Sequence, residues 1–417
     1  MKKLLIITGA GASVDFGMPK VSEIDVFFEE WAKDISSLKN NSNKSLYSWV
    51  KEKMIDYVEK NKSNRQEQII NFENILYTIQ NIYIFLNDKN NDLYKNRLSP
   101  FANIDVSDIP DIIRFGREKK TEAYDFHFLH SYLVDKLLEY FRDKCKKLEI
   151  DKPEELLISK SFFEKLKSKF EIGIANLNYD NVILSSLSDL KTGFNKQGKF
   201  KRSLLYNGEW YFCYHLHGSV FFDMQGGDDN TEMHKICWNN NLNSKFAQNS
   251  SGRSGNYTNE GLDHLNSNII MGLDKTNQLL REPFMSYYMQ LDKLIYEADA
   301  ILFIGYGFND LHLNNTFSFI RYDKEKTRKV VVIDYASDNE DGLSFRSDAW
   351  SFGLLQTLPS NAYQMGAETT SLPQPVSFFK KRNILEKSKN KDLPLAIWYN
   401  GFIEACKNPD KILKELL

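Results

Sequence analysis

Cysteine is scarce in this chain, and its spacing removes several classes of function. Cys145, Cys213, Cys237 and Cys406 make up the whole complement, and no two stand at CxxC spacing. A four-cysteine zinc site would have to gather all of them from scattered positions, so no zinc and no other metal is expected. In a chain of 417 residues they do not form a disulfide framework either, and reduced thiols of a cytoplasmic protein are expected. Long apolar runs are missing too. The N-terminal MKKLLIITGAGAS resembles a signal peptide only superficially, because its apolar run ends at Ile7. Nothing downstream reaches the roughly 18 apolar residues of a membrane span. Charge of one sign is not in surplus: 54 Lys plus Arg face 56 Asp plus Glu. Direct nucleic-acid binding or attraction to an anionic membrane is therefore not indicated. There is no internal repeat and no GxxxxGK[ST] phosphate loop, so any ATPase activity would have to come from another subunit.

What is present is enough apolar material for a core, with 42% hydrophobic and 13% aromatic residues. Lys3 to Thr8 is a short apolar run stopped by a glycine loop, the pattern of a buried parallel strand. Ser22 with Asp25 suggests a capping box for a helix to about Asp34. Helical spacing then dominates to about residue 150, as in Phe72, Ile75, Leu76, Ile79, Ile82 and Leu86, or Leu129, Leu133, Leu137 and Phe141. Strand-like runs return at Glu171 to Leu177, Tyr211 to Leu216, Ala300 to Ile304 and Val330 to Ile333, with helical stretches between several of them. This alternation predicts an α/β fold, a doubly wound and mostly parallel sheet, carrying a helical module over about 22–165. The Gly-, Asn- and Ser-rich stretch 223–268 reads as a long surface loop or mobile flap. Residues 1–335 form the expected catalytic domain, and 336–417 can be placed only as a C-terminal extension.

Four segments put chemistry at the ends of predicted strands, where ligands of open α/β sheets collect. Thr8-Gly9-Ala10-Gly11-Ala12-Ser13 can turn sharply and offer backbone N–H groups to a phosphate, or can be a tight turn without a ligand. Val14 stands where the third glycine of the GxGxxG fingerprint belongs, which argues against a dehydrogenase. Asn176-Leu177-Asn178-Tyr179-Asp180-Asn181 either points Asn178 and Asp180 into a crevice or caps the next helix through Asp180 or Asn181. In His215-Leu216-His217-Gly218-Ser219, His217 lies nearer the sheet edge and suits a proton carrier, with Gly218 leaving room for a ligand. His215, deeper in the strand, reads as structural. Gly305-Tyr306-Gly307-Phe308-Asn309-Asp310 is a second glycine turn, and Asp334 is an acid at a strand end, either a turn residue or a receiver for a ribose diol.

These segments also carry a family resemblance. GAGAS followed by Gly17-Met18-Pro19 looks like the sirtuin opening, NLNYD is similar to the sirtuin TQN[IY]D segment, and LHGS is similar to its HG[ST] motif. GYGFND resembles the later glycine turn, particularly that of bacterial sirtuin-like NADases of antiphage defence. The resemblance implies a Rossmann-like, sirtuin-like fold with NAD as substrate. Gly9, Ala10, Gly11 and Ser13 would then cradle its phosphates, and Asn178 and Asp180 would hold the nicotinamide ribose and carboxamide. His217 would be the base, and Gly305, Tyr306, Gly307 and Asp334 would meet the adenosine half. It further implies a homo-oligomer and, as in some such defence proteins, a separate HerA-type ATPase. Two departures stand out. Lys20-Val21-Ser22 replaces the DFR that follows the G[IM]P turn, and only Cys237 lies where sirtuin deacylases keep a four-cysteine zinc module.

Together these readings predict an NAD glycohydrolase that releases nicotinamide and ADP-ribose, with Asn178, His217 and Asp180 at the reacting centre. A negative charge at Asp334 would favour NAD over NADP. A protein deacylase or ADP-ribosyltransferase using the same pocket, and a non-cleaving NAD or ADP-ribose sensor, are the alternatives.

Overall fold

A computed structural model describes residues 1–60, 70–87, 108–225, 235–244, 256–257, 263–264, 268–271, 279, 281–321, 323, 325–358, 365–367 and 374–417. Its centre is an eight-stranded sheet built from β1 (Lys2–Thr8), β2 (Phe170–Asn176), β3 (Tyr211–His215), β4 (Ala300–Ile304), β5 (Lys329–Ile333), β6 (Met365–Gly366), β7 (Glu386–Ser388) and β8 (Leu395–Trp398). The spatial order is β6-β7-β8-β5-β4-β1-β2-β3. Every neighbouring pair from β8 to β3 is parallel, and β6 and β7 add an antiparallel edge. The six parallel strands thus follow the doubly wound dinucleotide-binding order, with the chain reversing direction across the sheet between β1 and β4. The five strands expected from the sequence all form, each within a residue of its predicted ends.

Alternation along the strands divides the core. Leu4, Ile6, Ile172, Ile174, Leu302 and Ile304 face one side. Leu5, Ile7, Ala175, Ile301 and Phe303 face the other. The first face is covered by the helical module: α1 (Val21–Ile35), α2 (Leu46–Lys60), α3 (Phe72–Asn87), α4 (Ala123–Asp151) and α5 (Pro153–Lys167). Its helices bury their apolar stripes on one another, with Phe126, Leu129, Leu133, Leu137 and Phe141 of α4 facing inward. A small antiparallel sheet of Ser36–Leu38, Ile112–Arg114 and Arg117–Lys119 joins the module, and its three-residue strands are too short to leave an alternation in the sequence. After β2 comes the short α6 (Val182–Ser186). The second face carries α7 (Phe284–Glu297), α8 (Leu311–Phe317), α9 (Ala349–Thr357) and α10 (Val376–Arg382).

Three expectations need correction. The start of α1 is closed by Glu23, whose carboxylate accepts from Lys20 N at 2.7 Å, and not by a Ser22–Asp25 box. Asp25 instead accepts from Tyr47 Oη and Lys51 Nζ, each at 2.6 Å. Within 223–268, the described residues include an antiparallel hairpin of Phe222–Gln225 with Lys235–Trp238, and Ile236 and Cys237 are buried. The local Gly/Asn composition concealed that apolar pair of strands; the rest of the stretch lies mostly outside the described residues. Finally, 336–417 is not an appendage. It supplies β8, inserted between β5 and β7, and two helices, α11 (Phe402–Lys407) and α12 (Pro409–Leu416), whose Phe402, Ile412 and Leu416 belong to the core of the first face. A boundary at 335 would cut through one sheet.

Among the described residues no helix is long and apolar enough to cross a membrane.

Candidate active site

The loops leaving the strands begin at one level of the sheet because each is tied to its neighbour. Gly9 N donates to Ile304 O at 2.9 Å, Leu177 N to Thr8 O at 2.9 Å, Leu216 N to Asn176 O at 2.8 Å and Gly305 N to Ile333 O at 2.8 Å. Above this latch lies a cavity of about 870 Å³, within the size range of cofactor pockets. Gly9, Ala10, Gly11, Ser13, Asn178, Asp180, His217, Gly305, Tyr306, Gly307 and Asp334 all line it. The structure therefore brings every site residue expected from the sequence to one crevice, at the point where the strand order reverses.

The two glycine turns are packed backbone to backbone. A methyl group on Gly9 would stand 2.6 Å from Gly305 O, and one on Gly11 would stand 2.8 Å from Gly305 Cα. Gly305 itself has φ +60°. These glycines are thus required by the contact between the turns, before any ligand is considered. The amides are largely committed as well. Gly9 N bonds to Ile304 O, Gly11 N to Gly305 O, Ala12 N to Gly9 O and Ser13 N to Ala10 O. Of the amides from Gly9 to Ser13, only that of Ala10 lacks a partner among the described residues. The expected cradle of free N–H groups reduces to that one donor, with the neutral side chains of Ser22 and Asn309 also at the wall. Asp25, Glu73, Asp180, Asp310 and Asp334 line the cavity too, and no Lys or Arg does so among the described residues.

Asn178 is buried and held in one orientation. Its Nδ2 donates to Gly9 O at 2.9 Å and to Ser13 Oγ at 3.0 Å, which uses both amide hydrogens and leaves Oδ1 as the group free to act as an acceptor toward the crevice. The Ser13 hydroxyl also lies near the Asp180 carboxylate and acts to lower its pKa. Asp180 Oδ1 also accepts from Val182 N at 3.0 Å, so the turn-forming and site-lining readings of this residue both describe it. Burial pushes the Asp180 carboxyl up from its ordinary value, against the lowering effect of those hydrogen bonds.

One layer below, Asn176 ties three strands together. Its Oδ1 accepts from Thr8 Oγ1 at 2.7 Å and from Asn178 N at 3.0 Å, and its Nδ2 lies 3.3 Å from His215 Nδ1. His215 is wholly buried, and burial pushes its pKa down to about 3, so it is a neutral structural residue, as its place in the strand suggested.

His217 Nε2 lies 3.0 Å from Asp310 Oδ2, with both side chains less than a tenth exposed. Gly218 does not leave room for a ligand: at φ +107°, its missing side chain admits the backbone of Asn268 and Ile269. Tyr306 also departs from expectation. Its ring packs on Phe303 and Phe308, and its hydroxyl donates to Asn314 Oδ1 at 2.7 Å, so its phenol belongs to the core. Burial pushes the carboxyl of Asp334, at the end of β5, up to about 6.

Two parts of the site escaped the sequence. Asp310 was visible at the end of GYGFND but resembles an ordinary helix N-cap, which it also is: its Oδ1 accepts from Leu313 N at 3.2 Å. The opposite wall, formed by Ile70 to Asn74 at the start of α3 and by Phe141 of α4, has no local signal, because an apolar helical stripe looks the same whether it covers a core or a ligand. Among the described residues no group of three His, Cys, Asp or Glu is placed to hold a metal ion, and the four cysteines are buried free thiols.

The fold and the crevice define a doubly wound α/β protein with a pocket at its switch point whose charged lining is carboxylate. Residues 173–350 match the family model of the SIR2-like domain. Similar solved structures include a Sir2 homologue with three substitutions in complex with 2′-O-acetyl ADP ribose (10% identity, 81% of each chain covered, TM-score 0.33). Sir2Tm bound to a propionylated peptide is another (10% identity, 80% of this chain and 82% of that one, TM-score 0.30). A third was described for the structural basis of sirtuin substrate affinity (10% identity, 79% and 82% covered, TM-score 0.28). No curated protein matches the chain.

Proposed function

We propose that this protein is an NAD glycohydrolase that breaks the bond between nicotinamide and ribose and releases ADP-ribose. The observation that carries the reading is the Asn178 amide, locked through Gly9 and Ser13 so that its oxygen is the available acceptor, in the same crevice as His217. The match of residues 173–350 to the SIR2-like domain supports it. The lining also suits a substrate with a cationic ring, since carboxylates outnumber cations in it.

In the reaction, the C1′–N bond breaks and its electron pair stays on the nicotinamide nitrogen, which loses its positive charge. No general acid is needed for that departure. Asn178 Oδ1 accepts a hydrogen bond from the attacking water, the water oxygen forms the new bond to C1′, and His217 takes the proton. Asp180 accepts from the carboxamide, and the glycine turns with Asp334 receive the pyrophosphate and adenosine half. Neutral donors at Ala10, Ser22 and Asn309 would meet the phosphates. The remaining task of the protein is to align the reactants and hold out bulk water.

Purified protein incubated with NAD should release nicotinamide and ADP-ribose in equal amounts. Asn178→Ala and His217→Ala should each slow release by about 100-fold or more. Near-normal turnover in either variant would remove that residue from the reaction. Including an acetyl-lysine peptide separates hydrolysis from deacylation, which would instead give an O-acetylated ADP-ribose. The reading extends to a role in bacterial antiphage defence, through self-assembly or a HerA-type ATPase partner that keeps a damaging activity low until triggered. Equal turnover with and without partner or phage trigger would refute that extension.

A further inference from the structure

Tyr179 stands between the two site residues Asn178 and Asp180, and its own polar groups are spent on other segments. Its carbonyl accepts from Val220 N at 2.7 Å, and its hydroxyl donates to Ile270 O at 3.1 Å. Ile270 N in turn donates to His217 O at 2.8 Å. Tyr179 is therefore bonded directly to the turn after His217, and to the His217 main chain through Ile270. Residues 268–271 form a buried brace between them. Asn268 Nδ2 donates to Phe222 O at 2.7 Å, and the glycine at 218 lets the backbone of Asn268 and Ile269 come close. Asn268, Ile269, Ile270 and Met271 are all buried. The Tyr179 ring packs edge-on against Phe141, which fixes the direction of its hydroxyl. Burial pushes that hydroxyl well above its ordinary range, so it stays a neutral donor. Among the described residues the Ile270 carbonyl has no other donor.

We infer that Tyr179 is a positioning residue of the proposed reaction: its hydroxyl, through Ile270, fixes where the His217 main chain stands relative to Asn178. The inference rests on the reading of Asn178 and His217 as the reacting pair. The latch between β2 and β3 ends at Leu216 N and Asn176 O, so the loops above it need a tie of their own. Without the hydroxyl, the buried Ile270 carbonyl loses its donor, and an unpaired buried carbonyl destabilises the conformation that holds it. The bond from Val220 N remains, so the turn stays closed while its His217 end loosens. A misplacement of about 1 Å between reacting groups is enough to slow chemistry strongly. Turnover should therefore suffer more than binding.

Tyr179→Phe removes the hydroxyl and keeps the ring on Phe141. Amide hydrogen exchange of the full-length protein, which needs no turnover, should quicken at Ile270 by about 10-fold or more. Ile6 and Ile174 in the central sheet should keep their rates. In steady state, kcat should fall by about 10-fold or more with KM changed little. Unchanged exchange at Ile270 would overturn the inference whatever the NAD assay gives. Equal quickening at Ile6 would also overturn it, since the hydroxyl would then serve general stability. A raised KM with kcat kept would make Tyr179 a substrate contact and not a positioning residue. Quickened exchange with undiminished turnover would sink the inference as well. If the parent itself fails to cleave NAD, the proposed function falls, and exchange at Ile270 still decides whether the hydroxyl holds the His217 segment.

Discussion

The two glycines of GYGFND look interchangeable in the sequence and are not so in the structure. Gly305 sits at φ +60° and its missing Cβ would fall 2.5 Å from Gly11 Cα. For Gly307 the nearest obstacle is Asn309 Nδ2 at 3.4 Å, an ordinary contact with a side-chain end. Gly305→Ala should therefore cost about 3 kcal/mol or more, combining left-handed backbone strain with overlap against a backbone that cannot retreat. Gly307→Ala should cost less than about 1 kcal/mol. Urea unfolding of both variants checks this, and equal losses would show that the close packing of the two turns is not what demands glycine. At the same scale, the Ser13 hydroxyl shows why a polar motif residue need not touch substrate to matter. It lies between the amide of Asn178 and the carboxylate of Asp180 and fixes which face of Asn178 is offered.

Among the elements, α4 joins the helical module to the site. Its Phe141 lines the crevice and packs edge-on against Tyr179 with ring centroids 5.7 Å apart. Arg142 Nε donates to Val220 O at 3.1 Å, in the turn that follows His217. The stability of α4 therefore bears on the segments that line the crevice, and it contains a buried histidine. Burial pushes the pKa of His130 down to about 3, and its Nδ1 has no hydrogen-bond partner among the described residues. The unfolded chain binds a proton at this residue near pH 6.5, and the folded chain does not until about pH 3. Stability contributed at neutral pH is thus lost as pH falls below about 6.5, by about 2 kcal/mol at pH 5. His130→Leu should flatten this acid limb. Denaturant unfolding at pH 7 and pH 5 measures it, and an equally steep limb in the variant would assign the pH dependence elsewhere, His215 being the next candidate.

At the scale of the whole molecule, the consequential strand is β8. It pairs in parallel with β5 through Val330 to Ile333 and Leu395 to Trp398, and it carries β7 and β6 on its outer edge. Behind it, α11 packs against α5 of the helical module, where Phe402 meets Phe162 and Phe163. A chain ending at residue 335 would leave β5 as an exposed apolar edge and open both core layers. It is expected to aggregate or to lack cooperative thermal unfolding, and the full chain is expected to unfold cooperatively. A soluble, cooperatively folded 1–335 fragment that retained NAD turnover would make the C-terminal portion dispensable after all.

Much of the sheet was legible because its signals are local. Val330 to Ile333 or Leu4 to Ile7 are short apolar runs closed by polar or glycine turns, and a strand buried on both faces needs nothing else to announce itself. The last strand of the central sheet was missed because Leu395 to Trp398 is only four residues long and sits among prolines and mixed helical signals. The Phe222–Gln225 hairpin was hidden in the same way by the Gly/Asn-rich residues between its strands.

The sequence by itself determined which side chains could do chemistry and that they stand at strand ends, since residue type, alternation and glycine spacing are properties of a few neighbouring positions. Only the tertiary structure decided that Gly9 and Gly11 exist for Gly305, that Ser13 sets the face of Asn178, and that Asp310 meets His217. Those contacts join segments far apart along the chain, and their geometry comes from the register of a sheet and the packing of loops above it, which no local pattern encodes.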